Sequence, residues 1–232
     1  MKIGITLPQF SADPHAMIAA ARRAEDAGID GVFVYDHYPR PDRPEAQHGL
    51  TMLGALAVAT ERINVGLLVA RVGVVPDRVL LSQIHTAARL AGPHRFIAGV
   101  GVGDRESDTE DVAIGITRPS LDERFARLEF VAATLHSEFG LEVWLAGKSA
   151  RARHVATTLG VTRNLWDPSD ELIKHAVAEG PVTWGATGDV EPDTLRRLAD
   201  LGVGYAVVAP LKAGAPDAAE RVMSAKDRAG LT

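Results

Sequence analysis

Short runs rich in β-branched residues alternate from end to end with longer amphipathic stretches, the pattern of βα units that feed a parallel sheet. Eight such runs can be placed: Lys2–Leu7, Gly31–Tyr35, Ile63–Val69, Phe96–Gly101, Glu142–Ala146, Val161–Leu165, Val182–Trp184 and Tyr205–Ala209. Between them the spacing predicts helices over Pro14–Ala27, Leu50–Thr60, Arg78–Ala91, Ser120–Glu138, Ala150–Leu159, Ser169–Ala178, Pro192–Leu201 and Pro216–Ala229. Gly28, Gly92, Gly160, Gly180 and Gly202 fall just past helix ends, where a left-handed cap favours glycine. Ala24-Glu25-Asp26-Ala27-Gly28-Ile29 is echoed by Ala199-Asp200-Leu201-Gly202-Val203, a faint internal repeat.

Eight units in 232 residues leave about 29 residues each, close to the minimum for a TIM barrel. The expected fold is therefore α/β, a compact (β/α)8 TIM barrel built as one domain over residues 1–232. An open doubly wound sheet usually stops at five or six strands and carries a nucleotide fingerprint after its first strand. Here Pro8-Gln9-Phe10 stands at that place.

Composition narrows the chemistry. With no cysteine, disulfides, iron–sulfur clusters and a thiol nucleophile are excluded, and the chain suits a reducing cytoplasm. A formal charge of −5 with scattered basic residues gives no general attraction to nucleic acid or anionic lipid. Met1-Lys2 leads straight into Ile3-Gly4-Ile5, so no signal peptide is expected, and the apolar window Ile63–Ala70 is closed by Arg71, far short of the ~20 residues of a membrane span. Gly99-Val100-Gly101-Val102-Gly103-Asp104 lacks the third glycine of a dinucleotide fingerprint, and Gly147-Lys148-Ser149 lacks the upstream glycine of a phosphate-binding P-loop. No nucleophile elbow, metalloprotease His pair or acidic calcium loop occurs, and no metal site is expected.

The remaining candidates lie where predicted strands end, the face on which TIM-barrel active sites are built. Asp36-His37 follows strand two, and an imidazole there can move a proton near neutral pH; a solvated loop histidine is the plain alternative. The glycines of strand four would admit a flat ligand, with Asp104 on the rim, or would merely fit a crowded barrel interior. Gly147-Lys148-Ser149 opens a helix whose free N–H groups suit a phosphate, unless Ser149 is only an N-cap. Trp166 and Trp184 stand near strand ends, where aromatics are as often core as recognition.

In order and spacing, the chain resembles the luciferase-like monooxygenase superfamily of flavin- and deazaflavin-dependent barrels. The carriers are Lys2-Ile3-Gly4-Ile5 with Leu7-Pro8, Ala24-Glu25-x-x-Gly28, Asp36-His37, Thr60-Glu61-Arg62-Ile63-Asn64-Val65-Gly66, Pro76, Gln83, Arg95, Gly99-x-Gly101-x-Gly103-Asp104, Glu123-Arg124 and Val143-Trp144-Leu145-Ala146-Gly147. The resemblance implies a flavin ring against strand three, where a non-prolyl cis peptide would fall at Leu68–Val69. It implies a cofactor phosphate at Gly147, Lys148 and Ser149, with Gly101 and Gly103 flanking the chain between ring and phosphate. His37 and Asp104 match the paired groups of the branch that uses the deazaflavin coenzyme F-420, with Asp in place of the more usual Glu, and Asp36 would orient the histidine or its loop.

The implied activity is hydride transfer between coenzyme F-420 and a small organic substrate. An FMN-dependent monooxygenase is the first alternative and a non-catalytic flavin-binding barrel the second. The family's usual insertion after helix Ser120–Glu138 is missing, because His136-Ser137-Glu138-Phe139-Gly140-Leu141 runs almost directly into strand five. Homodimers are common in the superfamily, although no contiguous apolar helix face here demands one.

Overall fold

The computed structural model describes residues 1–104, 107–211 and 213–231. Its strand segments are β1 (Lys2–Thr6), β2 (Gly31–Val34), β3 (Asn64–Leu67), β4 (Ala70–Arg71), β5 (Phe96–Gly101), β6 (Glu142–Ala146), β7 (Thr162–Trp166), β8 (Val182–Thr187) and β9 (Tyr205–Ala209). Every pairing between them is parallel. β3 and β4 are two pieces of one barrel strand, since both pair with β5, and the β3–β5 contact closes the ring. The expected eight-stranded (β/α)8 barrel is formed.

Outside it run α1 (Pro14–Asp26), α2 (Gly49–Ala59), α3 (Asp77–Ala91), α4 (Asp108–Ala113), α5 (Leu121–Ala133), α6 (Ala150–Leu159), α7 (Asp170–Val177), α8 (Pro192–Asp200) and α9 (Ala218–Arg228). No helix among the described residues is long and apolar enough to cross a membrane.

Three local expectations change. The third strand, read as continuous over Ile63–Val69, is broken at Leu68–Val69, whose peptide bond is cis as the resemblance implied, and resumes at Ala70. α4 was not foreseen, because a helix of 6 residues is too short to establish a 3.6-residue period. Gly180 is not left-handed: α7 ends on Ala178 in right-handed conformation, and the Gly180 N–H continues the turn to Ala176 O. The internal repeat, by contrast, has a physical basis. Gly28 and Gly202 sit at φ 84° and 89°, and the next residue donates back five positions in both copies, Ile29 to Ala24 and Val203 to Leu198, each at 3.0 Å. That bond turns Ile29 and Val203 inward to be buried under the barrel.

The barrel interior explains the glycines. Phe33, Trp144 and Tyr205 pack against one another with ring centroids 5.0–5.9 Å apart and, with Ile97 and Val207, fill the lower interior. Rings of that size fit because their neighbours have no side chain. A Cβ on Gly4 would lie 2.6 Å from Phe33, one on Gly31 2.2 Å from the Tyr205 hydroxyl, and one on Gly99 2.0 Å from the Leu67 carbonyl. Glycine and aromatic positions are complementary, as close packing requires.

Several carriers of the family resemblance hold the frame rather than the chemistry. The Glu25 carboxylate accepts from the N–H groups of Glu61, Arg62 and Ile63; burial acts to raise its pKa, yet these bonds bring it below the usual range. The Arg95 guanidinium donates to the carbonyls of Ala57, Ile63 and Ala91, tying α2, β3 and α3 together. After α5 the chain makes one π-helical turn, Thr134–Glu138, and only Phe139, Gly140 and Leu141 separate that turn from β6.

Candidate active site

The aromatic plug occupies the lower interior and leaves a cavity of about 1070 Å³ at the carboxyl ends of the strands. Leu7 and Phe10 border it after β1, Tyr35, Asp36 and His37 after β2, and Leu68, Val69 and Arg71 along the third strand. Gly103, Asp104 and Glu110 come from the segment after β5, and Ala146, Asn164, Trp166, Thr187 and Ala209 complete the wall. Every barrel strand contributes, which is why the site has no signature in any single stretch of sequence.

His37 is held from one side by a carboxylate that sequence reading missed. Its Nδ1 lies 2.9 Å and 3.0 Å from the two oxygens of Glu110, and the Tyr38 N–H donates to the same carboxylate at 3.3 Å. Glu110 is 1% exposed, and such burial of a charge is tolerable only with compensation. Arg43 bonds Oε1 directly, and Arg71 Nη2 stands 3.6 Å from Oε2. Arg71 in turn reaches Asp111 Oδ1 at 2.9 Å, and Arg118 reaches Asp111 Oδ2 at 2.8 Å. Opposite charges thus alternate across the loops that follow β2, β4 and β5. The imidazole also packs near Phe10 and Tyr35, each 5.6 Å away, while the Arg43 guanidinium lies 3.9 Å above the Phe10 ring.

Asp36 does not touch His37 through any hydrogen bond of the described residues. Its Oδ2 accepts the Arg71 N–H at 2.8 Å, joining the end of β2 to the third strand. Burial pushes the Asp36 carboxyl up, opposed by the Arg71 N–H and guanidinium. Burial likewise raises the Tyr38 phenol beside it, helped by the Asp36 charge. Asp104 lines the same cavity as His37, but its hydrogen bonds go to the Ser107 N–H at 3.0 Å and the Ser107 hydroxyl at 2.9 Å. Burial raises its pKa, yet the Ser107 bonds and the nearby His37 and Arg71 charges leave it below the usual carboxylate range. The carboxylate hydrogen-bonded to His37 is that of Glu110 on α4, and the Asp104 carboxylate is bonded to Ser107, just before that helix.

The other expected residues are distributed unevenly. Leu68, Val69 and Gly103 border the cavity. Gly101 does not: a Cβ there would lie 2.8 Å from Val69 Cγ2, so its smallness makes room for Val69. Gly147, Lys148 and Ser149 lie outside the lining, just beyond Ala146. Ser149 caps α6 by accepting the Ala152 N–H at 3.1 Å, and Lys148 Nζ donates to the Asp167 carbonyl at 3.2 Å. Trp166 borders the cavity, whereas Trp184 is core. The signal for Glu110 was present in Ser107-Asp108-Thr109-Glu110-Asp111, a polar start with acidic residues in the first turn. It lacked the length to be separated from a polar loop.

Comparison with known proteins adds to this geometry. The profile of the family described as luciferase-like monooxygenase matches residues 1–232. The chain belongs to that family. Among its luciferase-like relatives, the F-420-dependent glucose-6-phosphate dehydrogenase of Intrasporangium calvum is 30% identical over 198 residues, 82% of this chain and 56% of that protein. The enzyme of the same description from Nakamurella multipartita is 28% identical over 185 residues, 78% of this chain and 51% of its own length. The chain therefore spans about half the length of the curated relatives it matches. A solved structure, coenzyme F-420-dependent tetrahydromethanopterin reductase from Methanopyrus kandleri, superposes with a TM-score of 0.72 at 14% identity, covering 97% of this chain and 99% of that one. At that identity the likeness shows the luciferase-like fold alone.

Proposed function

We propose that this barrel is an oxidoreductase that transfers hydride between the deazaflavin coenzyme F-420 and a small organic substrate. The observation that carries the reading is His37, a histidine on the cavity wall whose Nδ1 is anchored to buried Glu110. The cavity fits a tricyclic ring. Its volume of about 1070 Å³ is just above the ~300–1,000 Å³ usual for cofactor pockets, and Leu68, Val69, Ala146 and Trp166 offer apolar surface to a flat group.

When bound, the coenzyme would supply hydride-transfer chemistry, and the protein supplies binding, orientation and proton handling. His37 takes or returns the proton of the substrate oxygen. Asp104, held ionised by Ser107, is a poor proton donor and serves by placing α4; Asp36 serves by fixing the ends of β2 and the third strand. Gly103 leaves room beside the cavity, and Gly101 contributes through the placement of Val69. The start of α6 at Gly147, Lys148 and Ser149 is offered as the phosphate site, where N–H groups of the first turn and Lys148 favour an anion. The relatives described as F-420-dependent dehydrogenases support the deazaflavin over FMN.

A second reading, a barrel that binds flavin without turnover, is kept as an outcome of the test; the three-residue passage from the π turn enters β6 at its amino end, on the barrel face opposite the cavity. Titration of the protein with coenzyme F-420 and with FMN, followed by fluorescence, tests both. Micromolar or tighter binding of the deazaflavin with weaker FMN is expected. Preference for FMN would move the reading to a monooxygenase, tight binding without hydride transfer to the second reading, and binding of neither would overturn the oxidoreductase.

A further inference from the structure

We infer that Glu110 is a positioning residue that fixes the proton of His37 on Nδ1 and thereby presents an unprotonated Nε2 to the cavity. The inference rests on the proposed role of His37 in proton transfer, and it deepens that role by assigning the tautomer. Both Glu110 oxygens lie within 3.0 Å of Nδ1. The carboxylate also receives the Tyr38 N–H and faces two guanidinium groups, all of them donors. An ionised carboxylate only accepts, so the ring nitrogen that meets it must donate. A neutral imidazole has one N–H, and with that proton on Nδ1 the lone pair is on Nε2.

No described residue bonds Nε2, and the His37 side chain, which borders the cavity, is 28% exposed. Rotating the ring to exchange its nitrogens is opposed by the packing of Phe10 and Tyr35. Asp104 makes no hydrogen bond to His37 among the described residues; its Oδ1 accepts from Ser107 instead. The resting site is thus set to receive a proton at Nε2.

The full chain labelled with ¹⁵N-histidine gives the test, read from ring ¹⁵N–¹H correlations at a pH where His37 is neutral and assigned with a His37→Asn variant. The expected wild-type spectrum shows His37 as a single tautomer, protonated at Nδ1 and bare at Nε2. Glu110→Ala should lose the single tautomer, and Glu110→Gln, whose side-chain carbonyl still accepts from Nδ1, should keep it. A wild-type ring protonated at Nε2, or a Glu110→Ala spectrum identical to wild type, would overturn the inference. If Glu110→Ala does not fold, the wild-type and Glu110→Gln spectra decide. Deazaflavin titration of the same samples separates the two claims. The expected tautomer in a protein that binds no deazaflavin sinks the proposed function alone, and deazaflavin binding by a ring protonated at Nε2 sinks the assignment of Glu110 alone.

Discussion

Arg71→Met replaces the central cation of the site with a side chain of similar length and no charge. Arg71 is 5% exposed and faces three carboxylates: Asp111 at 2.9 Å, Glu110 at 3.6 Å and Asp36 at 3.8 Å. Their losses differ. Glu110 keeps Arg43 and His37, and Asp111 keeps Arg118, but Asp36 keeps the Arg71 backbone N–H and the Tyr38 phenol and has no other guanidinium within 4 Å among the described residues. One nearly buried carboxylate therefore loses its cation, and breaking such a pair from one side typically costs about 3 to 5 kcal/mol. For a chain of this size that corresponds to a fall in Tm of roughly 6 to 20 °C. The deficit should also depend on pH. Burial already raises the Asp36 carboxyl, and without the guanidinium it rises further. As pH falls from 7 toward 5, the folded variant then binds more protons than the wild type does and recovers stability relative to it. Urea unfolding of both proteins at the two pH values measures this. A variant within about 0.5 kcal/mol of wild type at pH 7, or a deficit that does not shrink at pH 5, would refute the reasoning.

Gly99→Ala should destabilise by about 1 to 3 kcal/mol or more, because its Cβ would meet the Leu67 carbonyl at 2.0 Å, and a carbonyl has no rotamer to yield. Gly180→Ala, with no heavy atom within 4 Å and no positive φ, should be neutral or stabilising by about 0.4 to 1 kcal/mol. Equal losses in the two variants would discredit the packing account of the glycines. Asp104, whose folded pKa is depressed from 3.8, contributes stability that is present above that value and lost as pH falls through its lower folded pKa. Asp104→Asn should accordingly flatten the acid decline of stability below about pH 4, and an unchanged acid limb would count against the Ser107 bonds.

Much of the frame was legible in the sequence because it is set by short-range periodicity. The eight strands, the cap at Ser149, and the Gly28 and Gly202 turns each depend on residues a few positions apart. Gly180 misled because a glycine past a helix end is compatible with a left-handed cap without requiring one. Of the cavity wall, His37 and Asp36 were legible from their place at a strand end, and the cis Leu68–Val69 bond from the resemblance. Asp104 lines the same cavity as His37, but its bond to Ser107 was not legible, since a carboxylate's neighbours are chosen by three-dimensional packing.

Local patterns thus determined that this chain forms a (β/α)8 barrel and which end of it holds the functional loops. Only the closed barrel decided that Glu110, 73 positions from His37, would become its partner. The physical reason lies in what each feature depends on. A strand or a cap is stabilised by neighbours in sequence, whereas a buried charge is stabilised by whichever opposite charges the fold brings within about 4 Å. Those charges, from Arg43 after β2, Arg71 at the end of β4 and Arg118 after α4, meet only when the ring closes.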